Sequence, residues 1–532
     1  MDLMGATQAW RQLLGADQII EGPEVQEIYG QDTGGQQRII PAALRITDSA
    51  VLPEVMRIAS RHRVPVYPIS TGQNWGYGTA LPVRDHCVLI DLGGLQKILH
   101  FDADFGVVTL EPGVTQQMLA DFLDAGNHPF LVPVTGAGPT CSLLANALER
   151  GYGVTPYTDH FGAVTDLEAV LADGSLYRTA LREAGGEDLA RLFKWGLGPY
   201  SAGLFTQSGL GIVTRMTIAL ARRPECVKVC LFSLKQDELL EPTIERIRGL
   251  LSRLPGTIGA VNLMNRHRVL AMAAPFPADR LDARGLIPDE VVEELGRQYQ
   301  IFPWTGFGTL YGTRGVVAAA QREIKKALGG LASRLIFLTP ERAKTLAKLA
   351  SALPGAMGKR LASTAGTLAQ SLELVAGRPN ETALPLAYWR NPNPPQGRWR
   401  HPSRDGCGLL WYAPLVPMRP TDVRTYIQMI QAVSKKYGLE PLVTFTTVND
   451  KLLDSTVPLI FERQRPAAVD AAQRCYDELL ATGRQLGFFP YRVGIKTMET
   501  IDGLQNHARA FHQRLRASLD PHDLLAPGRY RR

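Results

Sequence analysis

Three glycines, Gly72, Gly76 and Gly78, fall within the run Ser70-Thr71-Gly72-Gln73-Asn74-Trp75-Gly76-Tyr77-Gly78. This run follows directly on a β-branched and aromatic stretch, Val64 to Ile69. Glycine lacks a Cβ, so it admits positive φ and close approach of the backbone to a ligand. A strand that feeds a loop of Gly, Ser, Thr and Asn presents successive backbone N–H groups to an anion. The chemistry implied is a phosphate or pyrophosphate cradle, and an ordinary glycine turn competes with it on equal terms. Neither GxGxxG nor GxxxxGK[ST] occurs, so the dinucleotide-fold and P-loop signatures are excluded. A second loop of the same texture runs from Leu131 to Thr140, then a helix pattern from Ser142 to Arg150 and a glycine turn from Gly151 to Tyr157. Two such loops in one domain suit a long, partly anionic ligand such as a dinucleotide.

The elements that must position these loops alternate between β and α, which implies a mixed α/β or α+β domain. Residues 5–30 read as helix, Ala42 to Ile46 as strand, and Ser49 with Glu54 open a helix through His62. Strands follow at Cys87 to Leu92 and Phe105 to Glu111, and Thr115 caps a helix from Gln116 to Ala125. Asp166 to Ala172, turning at Asp173-Gly174, forms a hairpin with Leu176 to Thr179, and a further strand ends near Leu220. The texture changes at Arg222-Arg-Pro-Glu225. Beyond it, strands at Val227 to Phe232, Leu409 to Val416 and Leu442 to Thr447 mix with four long helical patterns, implying a sheet covered on one face by helices. The tail through Leu519-Asp-Pro is able to pack onto another domain.

The chain has 532 residues, enough for two to four domains. A hydrophobic share of 45% with 20% charged residues gives a large core and excludes wholesale disorder. The net charge of +7 is scattered and forms no nucleic-acid stripe, although a basic surface suits an acidic protein partner. The six cysteines form no CxxC and the ten histidines no HExxH, so no metal site is expected and the thiols read as buried and free. No apolar run reaches the roughly 18 residues of a membrane span. No export signal is visible at Met-Asp-Leu-Met-Gly, so the cytoplasm is the default expectation, with a periplasmic site left open.

The chain resembles the vanillyl-alcohol oxidase / 4-cresol dehydrogenase (para-cresol methylhydroxylase) family of FAD enzymes. The matching stretches are Ile69 to Gly78, Glu111-Pro-Gly-Val-Thr115, Asn146 to His160, Phe193-Lys-Trp-Gly-Leu-Gly-Pro199, Gly203 to Ser208, Gly211-Ile-Val-Thr214 and Ala526-Pro-Gly-Arg529. They lie in family order along nearly the whole chain. The resemblance implies an α+β, two-domain FAD-binding fold of the methylhydroxylase type with an antiparallel-sheet cap: an FAD domain at 1–222, a cap over 223–485, and a segment 486–532 that completes the FAD domain and active site. It implies FAD held by Ser70, Thr71, Gly72, Gln73, Asn74, Gly76, Tyr77 and Gly78 at the pyrophosphate. Pro133, Gly136, Gly138, Ser142, Asn146, Gly151, Gly153 and Thr155 would line the second loop, with Gly211 and Val213 toward the adenine and Arg529 on the flavin or phosphate side. His160 reads as a structural histidine.

Family members bind a para-alkylphenol as phenolate between two tyrosines and an arginine. The matching residues are Tyr77, Tyr491 and Arg492. A phenol ionises near pH 10 unaided, and two phenolic donors and a guanidinium lower that by stabilising the anion. The phenolate would then expel hydride from its benzylic carbon to flavin N5, leaving a para-quinone methide to which water can add. Trp411, Met264 and Tyr388 are pocket candidates, and the neighbourhood of Trp304 is undecided. Asp450 and Asp454 read as polar strand-end residues in preference to water-activating acids. An electron carrier such as cytochrome c, or O₂ in the alternative, would reoxidise the flavin, and a dimer or larger assembly is expected. A flavin-binding subunit without phenol chemistry is the reading from another class.

Three departures bear on these expectations. The stretch Val132 to Thr140 carries no acid where some family oxidases place an aspartate near N5. No His-His pair follows Thr444-Phe-Thr446 for covalent flavin attachment. Ala387 falls at the position of a linking tyrosine, with Tyr388 one residue away. Dissociable FAD is therefore expected, with a link through Tyr388 as the competing case.

Overall fold

The computed structural model describes residues 1–352, 355–499 and 507–530. Three sheets organise them. The first has four strands in the order Ile19–Glu21, Ala42–Arg45, Val88–Asp91, Val66–Ile69. Its last three strands run parallel, and Ile19–Glu21 is antiparallel to its neighbour. The second is a five-stranded antiparallel sheet whose centre is Ile212–Ala219, flanked by Val107–Leu110 and Val164–Val170. The third, the cap sheet, has eight antiparallel strands. The mixed α+β architecture with an antiparallel cap is thus the one expected.

Local sequence explains the elements that matter. Thr115 accepts from the Met118 N–H and starts Gln116–Ala125, and Ser142 does the same for Leu143–Leu148. The expected helix over 5–30 is interrupted. Gly15, at φ +91°, ends Leu3–Leu14, and the strand Ile19–Glu21 intervenes before Pro23–Tyr29.

In the cap, Leu453, Val457, Leu459 and Phe461 of the strand Leu452–Glu462 join Val261, Leu263, Phe445, Tyr412 and Val416 in one hydrophobic cluster. The helices Leu240–Arg253, Arg314–Leu328, Pro420–Lys436 and Pro466–Gln485 cover that face. Side chains alternate across a strand. The opposite face therefore carries Asn262, Met264, Thr444, Thr446, Asp454, Thr456, Trp411 and Ala413.

The segment after Gln485 contributes first to the cap: Phe489–Arg492 is the edge strand beside Cys407–Pro417, with Ala413 opposite Arg492. The chain then returns to the first sheet, where the Val66 N–H donates to Leu524 O and the Ala526 N–H to Val66 O, at 2.8 and 2.7 Å. The edge strand and the tail deliver residues from the chain's end to a glycine loop near its start. No helix of the described residues is long and apolar enough to cross a membrane.

Candidate active site

The glycine loop leaves the strand Val66–Ile69 and folds on itself, because the Asn74 carbonyl accepts from the N–H groups of both Tyr77 and Thr79. Gly72, Gly76 and Gly78 all have positive φ, at +65°, +77° and +124°. The loop is held tightly. A Cβ on Gly76 would stand 2.2 Å from the Trp411 ring, and one on Gly78 would stand 2.6 Å from Ile495. The Thr33 hydroxyl accepts from the Gly76 N–H and donates to Leu409 O in the cap. The Trp411 N–H donates to Gly76 O, and the Ile495 N–H to Tyr77 O. Cap strand, tail and loop therefore share one set of contacts around Tyr77.

Of the three residues expected to act together, Arg492 lies against Tyr77, and Tyr491 is its neighbour in the edge strand. The Arg492 guanidinium lies 4.4 Å from the centre of the Tyr77 ring. One of its N–H groups donates to Asn74 Oδ1 at 2.5 Å, and its Nε is 3.4 Å from Glu149 Oε2. Tyr491 precedes it on the edge strand, with its carbonyl held by Gln207 Nε2 at 2.9 Å and its ring edge-on to Tyr152 at 5.4 Å. Burial raises the Tyr77 and Tyr491 hydroxyls well above the ordinary tyrosine value, although Arg492 pulls both down. Both stay protonated at neutral pH, so each hydroxyl is available to donate. Two such hydroxyls and a guanidinium are groups able to receive an oxyanion.

Glu149, missed from the sequence although it lies inside the matching stretch, ties this group to the tail. Its second oxygen pairs with Arg529, which also donates to Ser208 O and to the Tyr67 hydroxyl. Arg529 is thereby placed beside the base of the glycine loop.

The second loop is in register with the first. The Thr140 hydroxyl and the Cys141 thiol both donate to Gln73 Oε1. Pro133 is buried, and Gly136 and Gly138 approach Ala383 and Leu384, leaving 3.0 Å for a Cβ at each. Gly151 packs on Asn146 and Gly153 on His160, where a Cβ would come within 2.1 and 2.2 Å respectively. Asn146 Nδ2 is 2.6 Å from His160 Nδ1, and burial lowers that imidazole to about 4, so it is neutral and structural in character. Thr155 is buried beside this turn.

The other candidate residues have these surroundings. Val213 is 4% exposed and packs with Leu167, Ala169 and Phe205 in the core of the five-stranded sheet, and Gly211 is held against Phe205. Trp304 belongs to the covered face of the cap, with its indole N–H on Asp237. The Tyr388 hydroxyl donates to Asp405, whose carboxylate also takes the His401 N–H and Arg404 Nε. Burial, then that carboxylate, raises the Tyr388 hydroxyl, which opposes the ionisation that a flavin link through it requires. Met264 and Trp411 lie on the site face.

Asp450 is at a turn beside Lys451, as a strand-end residue should be. Asp454 is not. It sits within the strand Leu452–Glu462, opposite Leu415 on one side and Thr446 on the other, and is 5% exposed. Among the described residues, no group of three or more His, Cys, Asp or Glu is placed to hold a metal ion.

The loops fit FAD. Buried, unpartnered Trp75 Nε1 and Thr79 Oγ1 lie in a glycine cradle of positive φ. Gly72, Asn74, Gly76 and Gly78 would hold its pyrophosphate, with the loop 133–146 alongside. A glycine cradle of this kind in an α+β fold with an antiparallel cap is that of an FAD-dependent oxidoreductase.

Comparison with known proteins agrees. A family model described as an FAD binding domain matches residues 40–180. The chain is 31% identical to 1'-carboxy-chondrochloren decarboxylase of Chondromyces crocatus, over 99% of this chain and 96% of that protein. It is 26% identical to the 4-cresol dehydrogenase [hydroxylating] flavoprotein subunit of Pseudomonas putida, over 98% and 94%. A crystal structure of p-cresol methylhydroxylase with substrate bound superposes at TM-score 0.87 and 25% identity, covering 99% and 96% of the two chains. The chain belongs to the p-cresol methylhydroxylase-type family of FAD-dependent oxidoreductases.

Proposed function

We propose that the protein oxidises a para-substituted phenol at its benzylic carbon and passes the electrons to a cytochrome or another carrier. The observation that carries this reading is the placing of Arg492 over the Tyr77 ring, with Tyr491 adjoining. The phenolic oxygen enters between the two hydroxyl donors and the guanidinium, which stabilise it as phenolate. Phenolate pushes electron density to the para position and weakens the benzylic C–H bond to hydride. Preorganised donors at the developing charge contribute on the order of 3 kcal/mol each. Bound FAD supplies the hydride acceptor. Trp411 and Met264 bound the ring on the cap side.

FAD is held without a covalent link, because Tyr388 is committed to Asp405 and Ala387 occupies the linking position. Acid precipitation of the purified protein should release its yellow colour into the supernatant. The oxidation itself is tested by mixing the FAD-loaded protein anaerobically with a panel of 4-alkylphenols. Bleaching of the flavin supports it, and no bleaching with any member removes it. Slow return of colour on admitting air favours the carrier over O₂.

The likeness to a decarboxylase favours a second reading, loss of CO₂ from a phenol whose side chain bears a carboxyl. The same panel, extended to 4-hydroxyphenyl carboxylic acids, separates the two by release of CO₂.

A further inference from the structure

The inner face of the cap sheet carries a polar row that the phenolate receptor does not use. By strand register Asn262 stands opposite Thr446, and Thr446 opposite Asp454, so the three lie in line across adjacent strands. Asn262 Nδ2 donates to Thr446 Oγ1 at 3.1 Å. In this part of the face Asn262 Oδ1, Thr444 Oγ1 and Asp454 Oδ1 are buried with no hydrogen-bond partner. A buried acceptor left unpaired costs on the order of 1–3 kcal/mol, so adjacent orphans mark a surface that meets a polar ligand or water. The carboxylate is also close enough to act electrostatically on Tyr77, Tyr152 and Tyr491. The row lies on the same face of the cap sheet as Trp411, whose backbone N–H donates to Gly76 O, and as Ala413, which stands opposite Arg492, while Leu415, two residues on from Ala413, stands opposite Asp454.

Resting on the phenol reading above, we propose that Asp454 is the general base that activates water for addition to the oxidised side chain, with Asn262 and Thr446 positioning that water. After hydride has left the benzylic carbon, the substrate is a para-quinone methide. The water oxygen forms a bond to that carbon. Its proton passes to the Asp454 carboxylate, and the exocyclic C=C pair returns to the ring to restore the phenolate held by Tyr77, Tyr491 and Arg492. No further oxidant is consumed. Burial holds the Asp454 carboxyl up to about 7, which suits a group that gains and returns a proton near neutrality. Its charge in turn raises the phenols of Tyr77, Tyr152, Tyr426 and Tyr491.

4-Ethylphenol is the diagnostic probe, because its quinone methide either adds water to give 1-(4-hydroxyphenyl)ethanol or loses a methyl proton to give 4-vinylphenol. The FAD-loaded wild type and Asp454→Asn are compared for anaerobic flavin bleaching and for the ratio of the two products. The expected result is bleaching in both, with the alcohol-to-alkene ratio lowered at least about tenfold in the variant. Asp454→Glu should recover most of that ratio, which a merely structural role would not predict. An unchanged ratio with normal bleaching overturns the proposal. So does alkene as the sole product of the wild type, or loss of bleaching in Asp454→Asn alone. Failure of the wild type to bleach removes the phenol reading itself and this proposal with it.

Discussion

Glu149 Oε2 lies 3.4 Å from Arg492 Nε, with both side chains nearly buried. The same carboxylate pairs with Arg529 through its other oxygen. One acid thus aligns the arginine of the proposed phenolate receptor and ties it to the tail that closes the first sheet. Removing one partner of a buried ion pair leaves the others uncompensated and costs about 3–5 kcal/mol. Glu149→Gln is therefore expected to lose about 3 kcal/mol of stability in denaturant unfolding, and to bind phenols more weakly because Arg492 loses its orientation.

Arg492→Ala should weaken binding of a para-substituted phenol by roughly 100-fold or more while leaving flavin content near wild type. Arg492→Lys should rescue little, because an ammonium cannot both stack on Tyr77 and reach Asn74 as the planar fork does. Equilibrium titration against flavin absorbance at saturating FAD checks both. Equal losses of phenol and flavin would argue against the assigned role.

Gly76→Ala combines a positive φ with a contact that would put the new methyl 2.2 Å from the Trp411 ring. The expected cost is about 2 kcal/mol or more, with loss of flavin retention on gel filtration. Gly185→Ala shares the positive φ but meets nothing within 4 Å, so it should retain flavin.

Buried acids and histidines set opposite pH limits. Asp454 is raised from 3.8 to about 7 in the folded protein, chiefly by burial. Its contribution to stability is therefore present below pH 4 and is lost as pH rises through about 7. His160 and His267 are lowered from 6.5 to about 4, so theirs is present above pH 6.5 and lost as pH falls toward 4. Unfolding curves between pH 5 and 8 should show Asp454→Asn gaining on the wild type as pH rises. A difference that stays flat across that range would contradict the burial of this carboxyl.

The local chemistry of the fold was legible where turn and cap residues speak for themselves. Thr115, Ser142 and the Asp173-Gly174 turn act as their types dictate. The strand Leu452–Glu462 was not legible. Its residues, Leu-Leu-Asp-Ser-Thr-Val-Pro-Leu-Ile-Phe-Glu, do not alternate between apolar and polar, and Pro458, a residue that argues against a central strand, sits opposite Trp411 inside the sheet. Missing that strand concealed Asp454, whose orientation follows only from the alternation of Leu453, Ser455 and Val457. The helix expected over 5–30 failed at Gly15, where the turn prevailed over the apolar periodicity. Tyr77, Tyr491 and Arg492 were legible by resemblance, but their meeting depends on an edge strand that pairs across the cap. Glu149 and the Tyr388–Asp405 bond are tertiary pairings with no local signature.

The proposed chemistry requires a phenol to be bound here as its anion. A para-halophenol that cannot be oxidised, titrated at pH 7 into the FAD-loaded protein, reports this through its ultraviolet difference spectrum. The phenolate band is expected on binding, with its loss in Arg492→Ala. A bound phenol that keeps its neutral spectrum, or a phenolate band unchanged in Arg492→Ala, would contradict it.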